Sequence, residues 1–392
     1  MQSPNQSYIP ECDQLRALAT LLVFFYHALY YGLALTGAPG WRFGSDPFTP
    51  LLYEGHTGVS LFMVLSGFIL ARGSLYREVN YKQFMKNRLL RIVPLMTLVV
   101  IFAIYGSRPD SLSNIISPFL LLWNTKIHFN DTTNLAGSIW AISVLFQLYL
   151  IAPLLFAFTS KDGLKFLIPA TVLILLLKLI VLKSLAATPD LMVEVPYYTI
   201  VGRLNQFLLG IGLAYFFPRF SNYMRDKPRL ALYLLAAAFA GILAFAFAIN
   251  NGGGWARWQS WRGIQQEIEA YIWAAFIALF IVVRPIRWAP VDFALRRIGT
   301  WSFSIYILHW PLMVLFWDNF GARFAVGTVG SVTAINAVAL MPIVLGISAL
   351  SYFCVERPFL GLRGRYLIPD DAMSARPIAK LHEEMPPVSH TV

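Results

Sequence analysis

Cysteine is nearly absent: Cys12 and Cys354 are the only two in 392 residues. Two thiols build neither a disulfide scaffold nor a cysteine-based zinc centre. Charge is scarce too. Asp, Glu, Lys and Arg make up 13% of the chain, against roughly 25% in a soluble domain. A secretory signal is missing as well, because the short polar start runs into a full-length apolar segment without a small-residue cleavage pattern. That first segment is expected to remain as an anchor. What fills the space is apolar: 57% of residues are hydrophobic and the mean hydropathy is +0.61. The balance excludes an ordinary soluble domain and points to a multi-pass membrane protein.

A hydrocarbon layer of about 30 Å takes about 20 helical residues. Ten stretches qualify, near 15–35, 57–73, 89–106, 138–158, 164–183, 198–217, 229–249, 268–284, 298–318 and 329–354. The expected fold is all-α, a polytopic bundle of about ten transmembrane helices over residues 1–362. Residues 363–392 read as a polar cytoplasmic tail with the composition of a disordered segment. The stretch SNIISPFLLLWN, 113–124, is short and holds Pro118, and is expected to be interfacial or re-entrant. With the N-terminus inside, the inside loops carry roughly three times as many Lys and Arg as the outside loops. Both termini are therefore expected in the cytoplasm, with both thiols near the reducing side. The net charge of +11 is then topogenic, and no nucleic-acid partner is expected. No soluble catalytic domain is visible, so any chemistry must come from the bundle and its outer loops.

RALATLLVFFYH, Arg16 to His27, puts an arginine at the edge of the first segment and an imidazole in its middle. Eleven positions are close to three helical turns, so both lie on one face, about 16 Å apart. Arg16 reads equally as a snorkelling helix-end residue. His27 reads as a functional group, because ionisable groups at membrane depth are costly. A neutral imidazole can accept a proton, as a general base must.

The arginine, ten residues, histidine spacing on a first transmembrane helix resembles the acyltransferase 3 family of bacterial membrane acyltransferases. GHTGVSLFMVLSGFIL (55–70) resembles its second-helix signature, around Ser66-Gly67-Phe68. RLLRIVP (88–94), SIWAISVLFQLYLIAPLL (138–155), RLNQFLLGIGLA (203–214), IGTWSFSIYILHWPL (298–312) and SYFCVERPFL (351–360) resemble later blocks, in order. Two places depart from the pattern. Leu145 and Phe146 stand where the family often has acidic residues, and Asn205-Gln206 where it often has Pro-Glu.

The resemblance implies transfer of an acyl group, most often acetyl, from cytoplasmic acyl-CoA to a hydroxyl of an extracytoplasmic glycan, in the bacterial inner membrane. The acyl-CoA is a donor substrate; no permanently bound cofactor and no metal are expected. Planar guanidinium groups suit phosphate, which makes Arg16, Arg72, Arg88 and Arg91 the expected donor ligands; topogenic charge explains Arg88 and Arg91 almost as well. His27 is the expected base, or alternatively the carrier of a transient acyl group. Ser66 can donate to the thioester oxygen, while Gly67 either admits close backbone approach or simply packs helices. His309, beside Pro311, either assists acid–base work or bonds a carbonyl freed by the proline. Arg203 either holds the acceptor or pairs with Glu194. Lys178 is expected to snorkel, and Glu356 to fix the tail by an ion pair. Trp255 and Trp258 in NNGGGWARWQSW (250–261) can stack on sugars or serve as interfacial aromatic-belt residues. A transporter or flippase without covalent chemistry remains the competing reading, since polar groups inside a bundle also mark transport paths.

Overall fold

The computed structural model describes residues 5, 7–36, 48–107, 122, 124, 139–254, 257–324 and 328–368. Twelve helices carry the architecture. They are α1 Pro10–Thr36, α2 Gly58–Ser74, α3 Tyr81–Ser107, α4 Trp140–Asp162, α5 Leu164–Ser184 and α6 Pro189–Tyr198. The second half holds α7 Ile200–Arg225, α8 Pro228–Asn251, α9 Gln265–Val283, α10 Ala289–Thr300, α11 Ser302–Phe320 and α12 Val329–Gly361. Among the described residues there is no strand, only an isolated bridge between Val79 and Leu367. The chain is an all-α polytopic bundle. Among the described residues eight helical stretches are long and apolar enough to cross a membrane, or up to nine if α10 and α11 form one bent span.

The structure adds detail at three places. The segment near 298–318 is not a straight span: α10 and α11 meet at Trp301 with a 74° bend. The helix around 89–106 starts earlier, at Tyr81, and runs through Pro94 without ending. The described chain also continues past 362. Tyr366 and Leu367 are buried. The amides of Tyr366 and Leu367 donate to Asn5 Oδ1, and the Asn87 side chain donates to the Gly364 carbonyl. Residues 364–367 are thus tied to the bundle by Asn5 and Asn87. The stretch 113–124 lies outside the described residues apart from Leu122 and Asn124.

The centre of the bundle is set by backbone contact rather than by large side chains. A methyl group on Gly67 would overlap the Phe207 carbonyl oxygen, and one on Gly210 would overlap the Val64 carbonyl oxygen. These reciprocal clashes lock α2 against α7. Membrane helices use small residues for such close approach, since lipid supplies no hydrophobic drive for association. Of the two readings of Gly67, helix packing is the one the geometry supplies. Gly299 plays the same part at the start of α1, where a side chain would strike the Asp13 carbonyl.

Gly67→Ala and Gly210→Ala should each lower stability by about 1–3 kcal/mol through overpacking. The readout is the unfolding midpoint of the detergent-solubilised chain. Midpoints equal to wild type would contradict the backbone-contact account.

Candidate active site

A cavity of about 500 Å³ opens at the end of the bundle where α1 begins, α2 ends, α3 begins and α12 ends. That volume lies in the range of small-molecule sites. Arg16, Arg72, Arg88, Arg91 and Arg363 line it. Asp13 holds Arg16 at 2.6 Å, and Glu356 lies 3.7 Å from Arg91. Among the described residues Arg72, Arg88 and Arg363 make no ion pair. Arg72 reaches only the Ser7 hydroxyl at 3.3 Å. Arg88 lies over the rings of Phe84 and Tyr149, and its buried Nε has no hydrogen-bond partner. Burial, then Arg91 and Arg88, pushes the Arg363 guanidinium down to about 10; it stays charged at neutral pH. Burial, then Asp13, pushes the Tyr8 phenol at the cavity mouth up to about 12, so it remains a donor to Asp13 at 2.9 Å. Cations crowded beyond their carboxylates make a site for a multiply charged anion.

Deeper in, the wall turns apolar. Phe62, Ser66 and Ile69 come from one face of α2, and Leu145, Phe303 and Tyr306 from α4 and α11. Tyr306 lies one helical turn before His309 on α11. His309 Nδ1 lies 2.7 Å from the Tyr306 carbonyl oxygen and 3.2 Å from that of Ile305. Its Nε2 lies 2.9 Å from His27 Nδ1, and the two rings stack 5.1 Å apart. Carbonyls only accept, so His309 carries its proton on Nδ1 when neutral, and its Nε2 accepts. His27 must then donate from Nδ1, which leaves the lone pair on His27 Nε2. This tautomer, assigned from the bonds, is the one a general base requires. It also corrects the reading of His309 as a cap for the carbonyl that Pro311 frees. That carbonyl belongs to Ile307, whereas His309 bonds Tyr306 and Ile305.

On the far side of His27, polar groups are packed tightly. The His27 ring lies 5.0 Å from Tyr26, whose ring is 5.4 Å from His56. His56 Nε2 is 2.9 Å from Glu54, and both residues are buried. Arg203 is 1% exposed. It bonds the Tyr197 carbonyl, the Ser60 hydroxyl and Gln206, and lies over the Tyr197 ring. Ser60 in turn donates to Glu269. Arg203 thus joins α7 to α2 and α9. Lys178 does not snorkel: it is fully buried and pairs with Glu267 at 2.5 Å, because α5 is pinned to α9 there. Asn205 also bonds Glu267, and Gln206 bonds Ser60 and the Gln266 carbonyl. The carboxylates missing at 205–206 are thus supplied across the interface by α9.

The structure brings together two sets of expected residues: the four arginines with Ser66 in one cavity, and His27 with His309 in one pair. Among the described residues Ser66 bonds neither imidazole. Trp258 stands apart, in a crevice of about 10 Å³ with Tyr197 and Arg262, and Trp255 lies outside the described residues. Sequence reasoning missed Arg363 and Tyr306. Arg363 read as tail charge; only the hydrogen bonds of 364–367 to Asn5 and Asn87 bring it to the cavity.

The chain is thus a polytopic helical bundle with a basic cavity at one end and an imidazole pair between α1 and α11. The chain belongs to the acyltransferase 3 family: the family model, described as an acyltransferase domain, matches residues 9–353. Among curated proteins it is 26% identical over 355 residues to the peptidoglycan O-acetyltransferase OatA of Listeria monocytogenes, covering 79% of this chain and 50% of that one. It is 23% identical to the putative peptidoglycan O-acetyltransferase YrhL of Bacillus subtilis, covering 91% and 56%. It is 25% identical to the putative membrane-bound transacylase BcsY of Komagataeibacter xylinus, covering 91% and 84%. The chain thus spans about half the length of the first two. No solved structure matches it.

His309→Ala should slow acyl transfer on the order of 10²-fold, the lower end of the range for acid–base groups, with no loss of donor binding. Steady-state rates with acetyl-CoA as trial donor check this. A wild-type rate would remove His309 from the site.

Proposed function

We propose that this chain is an O-acyltransferase of the bacterial inner membrane. It moves an acyl group, most often acetyl, from cytoplasmic acyl-CoA to a hydroxyl of an extracytoplasmic glycan, a cell-surface polysaccharide or related saccharide. The observation that carries the reading is the basic cavity whose apolar wall includes Tyr306, one helical turn before His309 and with its ring 5.7 Å from that imidazole. Coenzyme A bears phosphates at one end and a thioester at the other. Arg16, Arg72, Arg88, Arg91 and Arg363 suit the phosphates, and the apolar wall suits the arm that delivers the thioester toward Tyr306. The names of the relatives support O-acetyl transfer to a glycan. Membership of an acyltransferase family favours this over transport without covalent chemistry.

The chemistry follows from the tautomer. His27 Nε2 takes the proton of the acceptor hydroxyl as its oxygen attacks the thioester carbonyl carbon. The tetrahedral intermediate collapses, the carbon–sulfur bond breaks, and the imidazolium returns the proton to the departing thiolate. Protons balance without any outside donor. His309 holds the ring and stabilises the imidazolium that forms, its Nε2 accepting from His27 throughout.

Base-labile esters on envelope glycans test the reading in cells carrying the wild-type chain, no chain or His27→Ala. Ester should appear with wild type only, and the released acid names the acyl group. Equal ester in all three, with the protein present in the membrane, would refute it. Donor binding is tested separately. Arg88→Ala and Arg363→Ala should each weaken binding of acetyl-CoA to the purified chain by about tenfold or more, since a charge-assisted bond contributes about 1.5–3 kcal/mol. Unchanged affinity would remove those arginines from the donor site.

A further inference from the structure

His27 meets His309 on one side and the buried Tyr26–His56–Glu54 packing on another. A third border is aromatic. The Trp310 ring stands edge-on to His27, 5.0 Å away at 86°. Tyr31, one turn beyond His27 on α1, lies 6.4 Å from Trp310. Its hydroxyl donates to Asp318 Oδ1 at 2.8 Å. Trp310 and Tyr31 are half-buried and Asp318 is exposed. Gly32 makes this possible: a side chain there would strike Trp317 and Val332, so only glycine lets α1 approach α11 closely enough for Tyr31 to reach Asp318.

We propose that Trp310, Tyr31 and Asp318 form the binding platform for the saccharide acceptor. The proposal rests on the acyl-transfer reading and adds the place from which the acceptor reaches His27. Aromatic faces take up the apolar C–H faces of a sugar ring, while a carboxylate accepts from its hydroxyls. Asp318 has that capacity, since Tyr31 occupies Oδ1 and leaves Oδ2 for a sugar. The platform lies further along α1 than His27, at the end of the bundle away from the arginines, so donor and acceptor converge on the imidazole from opposite ends. The loop tryptophan Trp258 offers no such room in its crevice of about 10 Å³.

The test uses the full chain with Trp310→Ala, Trp310→Phe, Tyr31→Phe and Asp318→Asn. Two quantities are read: base-labile ester on envelope glycans in cells, and the thermal shift of the purified chain with acetyl-CoA. Trp310→Ala and Asp318→Asn should cut ester at least tenfold while the acetyl-CoA shift matches wild type. Trp310→Phe, which keeps a flat ring, should restore most of the ester, and Tyr31→Phe should give an intermediate loss. Asp318→Asn preserves volume and does not touch the histidine pair, so it separates acceptor binding from disturbance of His27. Wild-type ester in Trp310→Ala and Asp318→Asn would overturn the platform alone. Loss of both ester and acetyl-CoA shift in Asp318→Asn would also overturn it, marking a structural role. No ester with the wild-type chain would instead defeat the acyl-transfer reading.

Discussion

The arrangement depends on one hydrogen bond, between His27 Nδ1 and His309 Nε2 at 2.9 Å. It matters because its far end is fixed. His309 Nδ1 faces the Tyr306 and Ile305 carbonyls, and a carbonyl leaves no choice of donor. The direction of every proton along this chain is then set by backbone geometry, with no carboxylate involved. A buried carboxylate would stabilise an imidazolium in the resting state. A neutral histidine partner instead leaves His27 uncharged between turnovers, which suits a group at membrane depth, where standing charge is expensive.

Around that pair, charge is segregated. At the α1 entrance, cations exceed their carboxylate partners: Arg72, Arg88 and Arg363 have no ion pair among the described residues. In the opposite half the charges are matched. Lys178 pairs with Glu267, Ser60 bridges Arg203 and Glu269, and His56 bonds Glu54. Matched buried charges rigidify without inviting a ligand, since breaking one pair leaves its partner stranded. Unmatched cations invite an anion. The glycine contacts at 67 and 210 hold α2 and α7 together where these two halves meet, so the frame around His27 stays fixed while the entrance receives its ligand.

Much of this was legible in the sequence, and the misses have physical causes. The all-helical, multi-pass class follows from long apolar runs, and Arg16 and His27 declare themselves by spacing on one helix. The histidine pair could not be read, because 282 positions separate its members and only the approach of α1 to α11 joins them. Arg363 looked like solvated tail charge; nothing local shows that Tyr366 and Leu367 bury themselves against Asn5. Lys178 looked like a snorkelling end residue because its partner, Glu267, is 89 positions away. The bend at Trp301 was hidden because the stretch before it, with Asp292, Arg296 and Arg297, reads as a polar loop rather than as a helix. In each case the chemistry-bearing residue was visible, and its partner was set by tertiary packing.

The central claim is that donor and acceptor meet at His27 from opposite ends of the bundle. Sealed inside-out membrane vesicles carrying the chain test it most directly. Acetyl-labelled acetyl-CoA, which does not cross the bilayer, is supplied at the exposed cytoplasmic face. The account predicts base-labile label on saccharide inside the lumen, and none with His27→Ala. Label confined to the face where the donor was added, or luminal label that persists without His27, would contradict it.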